Sequence, residues 1–98
     1  MEQMKIDESM RVPIDYNDKE LALAIRELKP VVFRDGDSYC TLYGPNPQMG
    51  IFGRGDSVSG SLADWENDLR ERLANAADDD EVVNDIKELL RNSGIQTW

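Results

Sequence analysis

The sequence has no histidine and a single cysteine, Cys40, in 98 residues. The missing histidine removes the commonest general base and metal ligand. It excludes Ser-His-Asp and Cys-His catalysis. A lone cysteine permits no intrachain disulfide and, without histidine, leaves no zinc set. Cys40 falls in a strand-like run and reads as a small apolar residue, not a nucleophile. Long apolar runs are also missing. The longest uncharged stretch, residues 38–53, is broken by Gly44, Pro45 and Pro47, whereas a membrane helix needs about 20 apolar residues. The opening MEQMKIDESM carries acids and no apolar h-region, so no signal peptide is expected. The expected location is cytoplasmic, with no membrane contact. Glycine is present, but no Gly-Lys-Ser or Gly-Lys-Thr phosphate loop is, and Gly53-Arg54-Gly55 opens no dinucleotide fingerprint.

Positive charge is scarce. Eleven bases face twenty acids, for a net charge of −9 and a pI near 4.3. Such a field repels nucleic-acid backbones and anionic lipid and favours basic partners. Residues 57–98 hold ten of the acids and only four of the bases, so the field is concentrated in the second half. The 40% hydrophobic and 32% charged residues suit one soluble globular domain.

Residues 1–16 show partial alternation (Met4, Ile6, Met10, Val12, Ile14), which fits either an added strand or a mobile, disordered arm. Pro13 opposes a central strand. Residues 17–98 form the single α/β domain. Asn17-Asp18-Lys19-Glu20 matches a capping box, and Leu21, Ala24, Ile25 and Leu28 follow on one helical face. Pro30 stops that helix. Residues 31–34 and 38–43 flank Asp35-Gly36-Asp37, a hairpin signal. The segment GPNPQMG, residues 44–50, is a loop, and residues 51–54 form a third strand.

Arg54-Gly55-Asp56 matches the integrin-binding tripeptide. In this context it reads as a strand-to-helix corner, with Ser57 as the N-cap and Asp56 favouring the helix dipole. Val58, Leu62, Trp65, Leu69 and Leu73 then give a long amphipathic helix. Asp80 can cap a last helix with Val82, Val83, Ile86, Leu89 and Leu90 on its apolar face and Gly94 as its stop. Trp98 can tuck onto the core. The expected fold is α+β, in the order α-β-β-β-α-α. A three-stranded antiparallel meander carries the long helix on one face.

The stretch VVFRDGDSYCTLYGPNPQMGIFGRGDSVSGSLADWENDL resembles the HicB antitoxin family of bacterial toxin–antitoxin pairs. The likeness is carried by Asp35-Gly36-Asp37-Ser38-Tyr39, the proline loop 44–50, and Gly55-Asp56-Ser57 leading into Val58 and Leu62. It covers under half the chain. It implies a non-enzymatic protein that neutralises a small basic RNA-cleaving toxin by covering it. HicB antitoxins usually add a DNA-binding segment. Residues 80–98 offer one helix with four acids and two bases, so direct DNA binding is not expected.

Under this reading the partner contacts are Tyr39, Tyr43, Phe52, Arg54, Asn46 and Gln48. Asp64, Asp68, Glu71, Asp85 and Glu88 supply electrostatic steering. Exposed sheet edges could also pair two copies into a homodimer. No cofactor or metal is called for. Two other readings stay open. One is a stand-alone phage or mobile-element accessory protein that keeps the fold without a toxin. The other is a metal nuclease built on Asp35, Asp37 and Asp56, residues that equally serve a turn and a helix start. Phe33, Tyr39, Tyr43 and Phe52 lack the basic groove of a single-strand binder and read as packing. Asp78-Asp79-Asp80-Glu81 lacks EF-hand spacing and reads as a solvated loop before a helix.

Overall fold

A computed structural model describes residues 4–92. The order is α1 (Leu23–Leu28), β1 (Val31–Asp35), β2 (Ser38–Tyr43), β3 (Ile51–Gly55), α2 (Val58–Asn75) and α3 (Glu81–Asn92). The three strands form one antiparallel sheet in the order β1-β2-β3, as the alternating runs predict.

Within the expected Asp35-Gly36-Asp37 turn, Asp35 pairs with Ser38, so the central residues are Gly36 and Asp37. Gly36 takes φ +62°, the positive φ that a type II′ hairpin places at its first central residue.

The first helix is shorter than the capping box predicts. It begins after Ala22, with no side-chain cap. The Asp15 side chain accepts the Asn17 N–H, and Asp18 accepts that of Glu20. These local bonds satisfy the backbone in turns and compete with helix. Lys29 ends the helix in the left-handed region, and its N–H bonds the Ile25 carbonyl, just ahead of Pro30.

Helix α2 follows its predicted stripe, burying Leu62, Trp65, Leu69 and Leu73. It lies against β3 at backbone distance. A Cβ on Gly53 would stand 2.2 Å from the Trp65 nitrogen, and one on Gly55 2.8 Å from the Gly60 carbonyl carbon. The two glycines, spaced by two, share the strand face that meets the helix. Helices α1 and α3 pack on each other and extend the same core, which joins Ala24, Ile25, Leu28, Val32, Tyr43, Ile51 and the α2 stripe to Val82, Val83, Ile86 and Leu90. Leu89, expected on the apolar face of α3, is 42% exposed. It lies one residue off the buried row. Gly94 and Trp98 lie outside the described residues.

The opposite sheet face carries a smaller cluster of Phe33, Cys40 and Leu42, with Ile6, Val31 and Phe52 packed around it. Ile6 comes from the N-terminal arm. The arm pairs with the outer edge of β1 through Val12 N–H to the Val32 carbonyl (2.7 Å) and Arg34 N–H to the Met10 carbonyl (2.8 Å). Its described residues form a turn at 8–10 and an isolated bridge from Arg11 to Phe33, and no further strand. Among the described residues no helix is long and apolar enough to cross a membrane.

Candidate functional site

Four of the ten acids of the second half, residues 78–81, fall at or beside the α2–α3 turn, where it meets the 44–50 loop. Asn46 shapes the loop: its side-chain oxygen accepts the N–H groups of Gln48 and Met49, and its carbonyl accepts that of Gly50. Gly44 and Gly50 let the two ends of the loop touch. A Cβ on Gly44, which has φ +122°, would sit 2.8 Å from the Gly50 Cα.

Arg72 then ties three segments together. Its guanidinium donates to the Met49 carbonyl (2.7 Å), the Gly50 carbonyl (3.1 Å) and both carboxylate oxygens of Asp80 (2.8 and 3.3 Å). Asp80 in turn caps α3 by accepting the Val83 N–H. The hydrogen bond from Arg72 holds the Asp80 carboxyl below its ordinary value, against a smaller opposing effect of burial.

Between these segments lies a groove of about 490 Å³, lined by Pro45, Gln48, Met49, Arg72, Asp79, Asp80, Glu81 and Val82. Met49 projects with 57% of its surface exposed. Asp79 and Glu81 are exposed and have no cationic partner among the described residues. Arg72 is spent on Asp80 and the two carbonyls, so the groove keeps a net negative charge. An apolar wall beside free carboxylates suits a lysine or arginine side chain, whose stem packs while its head pairs.

The contact candidates read from the sequence do not form one surface. Thr41 bonds Ser61 of α2 across a buried interface (2.9 Å), so Tyr39 and Tyr43, two residues either side, face the helices. Tyr39 is half-buried, with the Arg34 guanidinium over its ring at 5.7 Å. Tyr43 is buried in the core, and burial, helped by the charge of Asp85, pushes its phenol above the ordinary value. Phe52 and Arg54 lie on the other face. Phe52 joins the Phe33–Cys40–Leu42 cluster, and Arg54 pairs loosely with Asp35 (3.6 Å). Burial, more than the neighbouring charges, pushes the Cys40 thiol up. Of the six candidates, Gln48 lines the groove and Asn46 builds its wall.

The steering acids divide as well. Asp68 accepts the Phe52 N–H and Asp64 accepts the Arg54 N–H, each at 2.9 Å. Both therefore serve β3 and are not merely solvated. Glu71 and Glu88 are exposed. Asp85 and Glu88 border a separate 280 Å³ cavity with Tyr43, Leu89 and Asn92. Asp35, Asp37 and Asp56 do not gather: among the described residues no three histidine, cysteine or carboxylate side chains stand where they could hold one metal ion.

Arg72 and the groove acids Asp79 and Glu81 were not legible as a site. One signal existed for Arg72. It falls three residues after Leu69 and seven after Trp65, beside the apolar stripe, where a charge must find partners. A scan against protein-family models finds no match, and searches of curated proteins and of solved structures find none either.

Proposed function

We propose that this chain is a non-enzymatic binding protein whose partner is a small basic protein, and that the groove between the 44–50 loop and the α2–α3 turn is where the partner's cationic side chain seats. The observation that carries this reading is the pair of free carboxylates, Asp79 and Glu81, beside exposed Met49 in a groove held open by Arg72. The net charge of −9 supports it, because complementary charge speeds encounter and discourages nucleic acid as a competing ligand. The HicB-like pattern from Val31 to the middle of α2 supplies the specific form: antitoxin-type neutralisation of a small RNA-cleaving toxin.

The test is co-expression with the product of the neighbouring reading frame. The proposal expects that frame to encode a short basic protein that co-purifies with this chain and whose RNA cleavage ceases in the complex. A neighbouring product that is acidic or does not co-purify removes the antitoxin form. It leaves basic-partner binding to be judged by capture from lysate.

A further inference from the structure

Eleven bases serve the whole chain, and three of them, Lys5, Arg11 and Lys29, line one cavity of about 460 Å³. Met4, Ile6 and Val31 give the cavity apolar surface, and Glu8 is the acid of its lining. The cations come from two segments that the fold holds together. The N-terminal arm is fixed at both ends of this stretch, by the Met4 N–H on the Gly44 carbonyl and the Val12 N–H on the Val32 carbonyl. Between these bonds the chain turns, with the Met10 N–H on the Asp7 carbonyl and the Arg11 N–H on the Glu8 carbonyl. Lys5 and Arg11 flank that turn. Lys29 and Val31 arrive from the link between α1 and β1, on either side of Pro30.

The chain does little to neutralise these charges. All three side chains are exposed, and among the described residues none has a carboxylate at ion-pair distance. Asp7, the other acid of the arm, is turned back on Ser9 and accepts both its N–H and its hydroxyl. Lys29 adds an independent observation. It sits at φ 51° and ψ 56°, and among the described residues it is the one non-glycine with positive φ. Glycine, or less often asparagine, is the usual residue in that region at a helix end, because a Cβ is strained there. A lysine kept in such a conformation, with its charge at a cavity, fits strain retained for function.

We propose that this cavity is a binding site for a small phosphomonoester. Three positive charges against the single negative charge of Glu8 leave a surplus of two, which matches a phosphate dianion and exceeds what one carboxylate needs. The apolar lining calls for an organic body on the phosphate. A long polyanion does not fit. The net charge of −9 repels phosphates lying beyond the cavity, whereas a ligand held within it senses chiefly the charges within about 8 Å. None of these residues lines the acidic groove, so the inference stands independently of the basic-partner reading.

The test titrates the full nitrogen-15-labelled chain with phenyl phosphate at neutral pH and low salt, beside inorganic phosphate and benzoate. Phenyl phosphate should shift the amide signals of Lys5, Arg11, Lys29 and Val31 saturably at millimolar concentration, and should bind more tightly than either of the other two. Arg11→Gln should weaken its binding about five-fold. Lys29→Gly should weaken it by a similar factor while the urea midpoint stays level or rises, because glycine relieves the left-handed backbone. The proposal is overturned if no saturable shift appears, or if inorganic phosphate or benzoate binds as tightly as phenyl phosphate. Variants that bind phenyl phosphate as well as the wild type overturn it equally.

Discussion

Ser57 shows how little side chain a structural corner requires. Its hydroxyl accepts the Gly60 N–H at 3.0 Å and starts α2, which the polar Gly-Asp-Ser sequence before an apolar stripe already indicates. Ser57→Ala should cost about 1 kcal/mol in urea unfolding; an unchanged midpoint would remove Ser57 as the cap. Arg72 is the contrasting residue. Nothing in local sequence names its partners, because Met49 and Gly50 lie more than twenty positions away. Arg72→Ala should destabilise the chain by about 2–3 kcal/mol, since charged hydrogen bonds to Asp80 and two carbonyls are lost. Lysine should restore under half of this, lacking the planar fork. The pH dependence has a definite sign. The folded-state pKa of Asp80 is lowered, chiefly by its hydrogen bond to Arg72, so the contribution is fully present above the ordinary carboxyl range and is lost as pH falls through the folded value. The difference in stability between wild type and Arg72→Ala should therefore be largest at neutral pH and shrink in acid. A difference that grows in acid would contradict the Arg72–Asp80 assignment.

Helix α2 and strand β3 behave as one element. Four residues of helix rise about 6 Å, and two residues of strand rise about 6.6 Å. Asp64 and Asp68 can therefore meet Arg54 and Phe52 in register, with the helix running back along the strand. Gly53 permits the approach, because any larger residue would overlap Trp65. Periodicity made the helix and the strand legible separately, and both appear at or within a residue of their predicted bounds. Their contact was not legible, because carboxylates on a solvent-side helix position look the same whether they face water or a neighbouring strand. The first helix failed for a related reason. Asn17-Asp18-Lys19-Glu20 has the composition of a cap, but Asp15 and Asp18 turn back on their own chain, and composition alone does not rank those outcomes. Replacing Asp64 and Asp68 together by alanine should leave helix content intact while freeing two strand N–H groups. Such an edge invites pairing with other chains, so concentration-dependent association should rise, as read by light scattering at neutral pH. If the double variant associates no more than wild type, the two carboxylates are not what closes that edge.

At the scale of the molecule, the order α-β-β-β-α-α and the single sheet were readable from alternation, turn chemistry and stripe spacing. The distribution of function was not. The aromatic and basic residues singled out as contacts are split between two sheet faces by the period of two, and Tyr43 is consumed by the core. The acidic run 78–81, read as a solvated loop, becomes one wall of a groove only when Arg72 draws the 44–50 loop beside it. Net charge favours a basic over an acidic partner; only the tertiary arrangement indicates where charge is left unpaired. The most direct measurement is capture of partners from native lysate on the immobilised full chain, beside an Asp79→Asn/Glu81→Gln variant, at low and at high salt. The account predicts that the wild type retains a small basic protein, that the variant loses it, and that high salt releases it. A basic protein bound equally by both chains, or no basic protein bound at all, would contradict the groove as the binding site.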